Sequence, residues 1–270
     1  MLIFRKLFAF LKRDFINEAS YKFAFVGQLF AIFFSTLTFF FLSKLFGHSV
    51  SPYIEKYGGN YFSFVLVGIA FSSYLRVSLS SFADTIRNAQ LTGTLEALLV
   101  TQTSVPAIIL ASSLYSFIFT SFRVLIYLLL GIFVFGIDMS APNLCGALIF
   151  FILTILAFGS IGIVSASFVL MFKKDLPFIG ILISLFILLG GVYYPIEVLP
   201  VWLQKISYFL PITHSLNGIR HSLLLGYPLK ALAPNIFPLL IFIAVVLPFS
   251  LFLFRYAVIK AKVEGSLTYY

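Results

Sequence analysis

Residues 88–107 read NAQLTGTLEALLVTQTSVPA. The chain on either side is apolar enough to sit in lipid, yet here it turns polar, sets Gly93 beside Thr94 and offers one carboxylate, Glu96. What surrounds this stretch settles how it is to be read. The 270 residues are 61% hydrophobic and only 10% charged, and the mean hydropathy is +1.09. A soluble domain carries roughly a quarter charged residues to face water, so this composition indicates an integral membrane protein. Only helices and closed barrels span lipid, because each backbone amide must be satisfied internally. The apolar runs here are long and do not alternate, which excludes a barrel. The expected fold is all-α.

Outward from the quoted stretch, six spans are expected, at about 23–46, 61–82, 106–137, 144–171, 176–194 and 232–254. The third is long enough to tilt or to project beyond the bilayer. Residues 1–22 form a separate element. Phe4, Phe8, Leu11 and Phe15 share a helical stripe opposite Lys6 and Arg13, the pattern of an amphipathic helix lying in the membrane interface. Nothing at the N-terminus reads as a signal peptide. The net charge of +9 reads as topology rather than nucleic-acid binding, since Lys and Arg accumulate on the cytoplasmic side. Arg5, Lys6, Lys12, Arg13, Lys22, Arg87, Lys173, Lys174, Arg255, Lys260 and Lys262 fall on one side. Lys44, Lys56, Lys205, Arg220 and Lys230 fall on the other. Both termini and the 83–105 loop are therefore expected in the cytoplasm of a multi-pass inner-membrane protein. Residues 195–231 are expected outside as apolar helical hairpins, broken by Pro195, Pro200 and Pro211 and re-entrant or interfacial, with Trp202, Tyr208 and Phe209 at headgroup level.

Within the loop, Leu91, Leu95 and Leu98 form a stripe with Leu99 at its edge and Glu96 well away from it, while Gly93 and Thr94 thin the helix and leave room for another backbone to approach. Such a helix either caps the bundle or docks into a partner's groove. The wording of the stretch bears on that choice. Gly93 to Thr101, GTLEALLVT, resembles the cytoplasmic loop of export permeases of the type-2 ATP-binding-cassette (ABC) family. A second block, Gly191 to Gly226, resembles that family's outer signature before the last span, with Pro195, Glu197, Leu199, Pro200, Pro211, Arg220 and Gly226 in place. The family often has Pro after the Thr of the first block; here Gln102 stands there and the next proline is Pro106.

The resemblance implies a transmembrane exporter subunit with no catalytic, cofactor or metal site of its own. No G-x-x-x-x-G-K-[ST] phosphate loop occurs, and Gly58-Gly59 is followed by Asn60. ATP and Mg would be bound by a separate ABC ATPase, present in two copies. A second copy of this chain or a related permease would complete the path. The opening stretch, including Leu95, Leu99 and Thr101, would be the coupling helix. Its Glu96 would either accept a charge-assisted hydrogen bond from the ATPase or stabilise its own helix end. The cargo would be an amphiphilic drug, a lipid, or a lipid-linked glycan or polysaccharide.

Among isolated residues Arg123 stands out. It lies near the middle of the third span, where a charge is costly, so it lines a wet path or pairs structurally with another span or subunit. It is also what an ATP-independent secondary transporter, the alternative reading, would use. Arg76 can snorkel toward the inner side. Glu197 either gates the exit or sits in headgroups. His214 and His221 are one helical repeat apart and make a poor metal site without a third ligand. Lone Cys145 in an apolar run implies no disulfide.

Overall fold

A computed structural model describes residues 15, 22–46, 51–91, 105–139, 141–172 and 178–263. The expected interfacial helix, apart from helical Phe15, lies outside the described residues. So do the Gly93–Thr101 segment and the turn at Lys173, Lys174 and Asp175. The described residues contain helices, turns and loops but no strand.

The main helices are α1 (Lys22–Phe46), α2 (Tyr61–Leu91), α3 (Val105–Phe133), α4 (Leu144–Phe172), α5 (Phe178–Leu189), α6 (Val201–Phe209), α7 (Pro211–Leu224) and α8 (Leu229–Val263). Short turns of helix at Ser51–Ile54 and Glu55–Tyr57 join α1 to α2. Five helices are long and apolar enough to cross a membrane: α1, α2, α3, α4 and α8. By contrast α5 has 12 residues, a rise of about 18 Å against a hydrocarbon core of about 30 Å. It ends because Gly191 adopts φ +74°, the left-handed conformation that terminates helices.

The least apolar of the five is the most enclosed. The most apolar window of α2 has a mean hydropathy of 1.6 and is 72% buried, whereas those of α1 and α8, at 2.0 and 2.8, are 11% buried. Lipid solvates apolar side chains as well as a protein core does, so there is no hydrophobic reason to bury them. Small and polar residues go inside, where they allow close approach and hydrogen bonds. Ser63, Ser78 and Ser81 of α2 are buried, and the Tyr74 hydroxyl donates to Ser121 Oγ of α3 at 2.8 Å.

The second hub is α4, packed on α2, α7 and α8. A Cβ at Gly162 of α4 would lie 1.9 Å from the Ser78 carbonyl oxygen, and one at Gly218 of α7 would lie 2.2 Å from the Phe150 ring. These glycines are where helices touch backbone to backbone, or backbone to ring. The α2 helix runs past the expected span because its apolar stripe does not stop. Leu75, Leu79, Phe82, Ala83 and Ile86 are all buried, at the three- and four-residue spacing of one helix face.

Candidate functional site

The end of the bundle holding residues 190–228, the hairpin end, is organised around Arg220. The proline-rich stretch folds as its residues dictate. Pro195 and Pro200 precede the short helices Ile196–Val198 and α6, and Pro211 is the first residue of α7. Proline suits a first helical position, where no amide donor is needed. This brings Arg220 on the inner face of α7 against the broken end of α5. Its side chain is 1% exposed.

Arg220 Nη1 donates to the Gly191 carbonyl (2.9 Å), Nη2 to Val192 (3.1 Å) and Nε to Phe64 (3.1 Å). The guanidinium lies over the Phe64 ring, 3.5 Å from its centroid. An interrupted helix in an apolar setting leaves carbonyls that water cannot reach, and one planar fork with five donors satisfies two of them together with a third on α2. Burial pulls the Arg220 pKa down from its ordinary value to about 9, with Tyr57 and Glu197 acting in the opposite sense; the group remains cationic at neutral pH. Gly68 makes the approach possible, because a Cβ there would lie 2.3 Å from the Val192 carbonyl oxygen and 2.6 Å from Arg220 Nη2.

Around this clasp the other segments interlock. Tyr57 Oη donates to Asn217 Oδ1 at 2.7 Å, and Lys56 pairs with Glu197. Glu197 thus serves as the ion-pair partner of Lys56. Asn60 Oδ1 accepts from the Phe62 and Ser63 amides and caps α2. Asn143 accepts from the Gly146 amide at the start of α4, while its Nδ2 donates to the Tyr227 carbonyl. Gly226, at φ +62°, passes so close to Ala141 that a Cβ would lie 2.2 Å from its carbonyl oxygen.

The His221 ring stacks between Tyr57 (5.3 Å) and Tyr227 (5.1 Å). His214 Nε2 lies 2.8 Å from the Tyr208 carbonyl oxygen. Among the described residues no three metal-ligating side chains come together. Burial, then the Lys56 charge, lowers the His221 pKa below 6.5. A lowered histidine pKa means the unfolded chain binds the extra proton more readily. Its stabilising contribution is therefore complete above 6.5 and is lost as pH falls through the folded-state value. We expect the detergent-solubilised protein to unfold at lower temperature at pH 5 than at pH 7, and His221→Phe, which keeps a ring in the stack, to reduce that difference. An unchanged pH difference in the variant would refute the assignment.

The short helix α6 is inverted. Its polar side faces the protein, where Ser207 is fully buried and Gln204 Nε2 donates to the carbonyls of Leu199 (2.8 Å) and Glu197 (3.2 Å). Its apolar side faces out, with Trp202 65% and Phe209 84% exposed. Leu199 ends the turn that precedes α6.

On α3, Arg123 is half-buried and lies beside Gln28 of α1. Phe25 of α1 stacks with Phe119 and Phe122, and Phe40 meets Phe135. This register sets Arg123 level with Gln28, six residues from Lys22 and so about 9 Å into α1. With its amide oxygen turned to the guanidinium, Gln28 accepts from Arg123 Nε and Nη2. Arg123 thus lies near one end of the first span, although it is central in the third. Glu197 and Arg123 are not brought together; each has its own setting.

Arg220 entered the sequence reading only as a motif position and an outer positive charge, and Gly68, Tyr57, Asn143 and Asn217 not at all. Asn60 directly before a long apolar run was a readable cap signal. The others are distant in sequence and carry no local pattern.

The sequence profile of the ABC-2 type transporter family matches residues 5–224. The chain is 28% identical over 158 residues to a probable multidrug ABC transporter permease of Escherichia coli K12, covering 56% of this chain and 41% of that protein. It is 32% identical over 99 residues to nodulation protein J of Rhizobium leguminosarum bv. trifolii, covering 37% of each. The chain thus spans less than half the length of these relatives. The profile covers most of the chain, from the N-terminal segment through the Arg220 clasp, and the chain belongs to the ABC-2 type transporter family.

Proposed function

We propose that this chain is the permease of an ATP-driven exporter of amphiphilic molecules, working with a separate ABC ATPase. The observation that carries the reading is the family match spanning both the Gly93–Thr101 segment and the hairpin end. In this reading the chain crosses the inner membrane six times, with α5 as the short fifth crossing and both termini in the cytoplasm. Two permease chains enclose the path and two ATPase subunits bind ATP and Mg. The Gly93–Thr101 segment receives their motion: Leu91, Leu95 and Leu98 hold the loop to the bundle, while Gly93, Thr94 and Glu96 face the ATPase. Arg123 borders the path.

The hairpin end caps the outer exit, and Arg220 keeps its backbone carbonyls satisfied where water is scarce. The outward apolar face of α6, with Trp202, Tyr208 and Phe209, suits the outer headgroup layer. One relative is named a multidrug permease, which favours a drug-like or lipid-like cargo over a polysaccharide. The test is mild purification of the tagged chain from its native membranes, with mass spectrometry of what accompanies it. We expect an ABC ATPase with the wild type, and its loss with a Gly93→Trp, Glu96→Lys double variant. No ATPase with a well-folded wild type would sink this reading and return Arg123 to the centre of a partner-free carrier.

A further inference from the structure

The outward sides of the other spanning helices are apolar, as lipid requires: Phe30 and Phe34 on α1, Leu148 and Ile152 on α4, and Phe249 and Phe252 on α8 are exposed. The central helix α2 is the other way round. Its buried face carries Leu75, Leu79, Phe82 and Ile86, and the side left open carries Ser72, Ser73, Arg76 and Ser80. Ser73, Arg76 and Ser80, at three- and four-residue spacing, form one stripe, of which Arg76 is the most exposed member. Among the described residues its guanidinium has no hydrogen bond, ion pair or ring contact.

This charge stands deep in the membrane. Arg76 is the sixteenth of the 28 residues in the Tyr61–Asn88 span. Its neighbours Tyr74 and Ser78 meet Ser121 of α3 and Gly162 of α4, both well inside spans of their own. Twelve residues, about 18 Å of helix, separate it from Asn88, so the side chain does not snorkel to the inner surface. An arginine at such depth faces a wet cavity or a partner rather than lipid. The chain itself brings no carboxylate to that level. Of its nine acids, Asp84 lies eight residues and about 12 Å further along α2. Glu55, Asp138 and Glu197 lie outside the spanning helices, Asp14 and Glu18 precede α1, Glu96 and Asp175 fall between helices, and Glu264 follows α8. A second copy, related by a two-fold axis along the membrane normal, repeats these residues at the same depths. What meets Arg76 there is an anion in transit.

We propose that the open stripe of α2 borders the transport path, and that Arg76 binds the oxyanion head of an amphiphilic cargo. A phosphate or carboxylate suits the planar fork, with Ser73 and Ser80 beside it as hydroxyl donors. The site rests on the transport reading, which supplies the second chain across the stripe. The two fail separately, because the test of the site needs no ATPase.

That test places a single cysteine, Ser73→Cys in a Cys145→Ser background, in the whole chain in phosphatidylcholine nanodiscs, which leave both membrane faces open. Its modification by an anionic and by a cationic methanethiosulfonate is timed, each relative to the reagent's rate with free cysteine. The anionic reagent is expected to be favoured. Arg76→Gln should shift the ratio about tenfold, the factor that one unit charge about 6 Å away in water sets between reagents of opposite sign. Arg76→Lys should keep the bias. Dodecyl phosphate should slow the modification at several-fold lower concentration than uncharged dodecyl glycerol, a difference lost in Arg76→Gln. Phe252→Cys, on the lipid-facing side of α8, should react with neither reagent, and Arg76→Gln should melt with the wild type. The proposal is overturned if Ser73→Cys reacts no faster than Phe252→Cys, or if the ratio is the same in Arg76→Gln. It is overturned as well if Arg76→Gln unfolds well below the wild type, which would make the arginine half of a structural pair. Protection by inorganic phosphate equal to that by dodecyl phosphate would also overturn it, since the site would then be one for a soluble anion.

Discussion

Arg220→Met is expected to cost this protein about 4 kcal/mol or more of stability, enough to abolish a monodisperse folded fraction in detergent. Methionine fills much of the volume and removes the buried charge, so a purely hydrophobic account would predict little change. The loss comes from what stays behind. The carbonyls of Gly191, Val192 and Phe64 each lose a charged donor, and an unsatisfied buried acceptor costs about 1–3 kcal/mol. Arg220→Lys should recover only part of the loss, because one ammonium cannot present a planar fork to three carbonyls on two elements. Gly68→Ala should reproduce the defect with Arg220 intact, since its Cβ would meet both the guanidinium and the Val192 carbonyl. The measurement is the unfolding temperature of each purified variant, followed by size-exclusion chromatography after heating. An Arg220→Met variant that unfolds with the wild type would remove the clasp from this account.

The next largest effect is expected from one methyl group at Gly162, and none of that kind from the same methyl group three residues earlier. The Cβ of Gly162→Ala would lie 1.9 Å from the Ser78 carbonyl oxygen, whereas that of Gly159→Ala would have the Phe82 ring at 3.8 Å, ordinary contact. At 162 the obstacle is helix backbone, so α2 and α4 must separate. Overpacking of this kind costs about 1–3 kcal/mol, and the separation is felt along the whole seam between the two hubs. At 159 alanine should be neutral or slightly stabilising, since glycine in a helix interior costs about 1 kcal/mol relative to alanine. Parallel melts of the two variants decide it. Equal melting temperatures would mean that the α2–α4 seam yields, and that the close approach at Gly162 is not a constraint.

The contrast between these glycines shows where sequence reading reaches and where it stops. Both stand in one apolar run of α4, GSIGI preceded by AF, and nothing local separates them. The run itself was legible: length, hydropathy and the absence of alternation identify a membrane helix whatever it packs against. Prolines 195, 200 and 211 likewise marked the starts of short helices, because a missing amide acts locally. The helix of α2 continues beyond the span expected to end at 82, because Ala83 and Ile86 carry on the buried stripe. The depth of Arg123 was legible only relative to its own helix. Its setting beside Gln28 came from the register of α1 on α3, which ring contacts decide.

Composition, span lengths and the two motif blocks, taken by themselves, determined that this chain is an all-helical membrane protein of the ABC-2 kind. Those properties follow from transfer of each segment into lipid and from chemistry carried on contiguous residues. Which helix lies at the centre, which glycine is indispensable and which arginine is satisfied by backbone were decided only in the tertiary structure. In lipid, apolar surface does not choose the inside. That choice falls to close approach and to hydrogen bonds such as that of Arg220 Nε to Phe64, made between residues 156 positions apart.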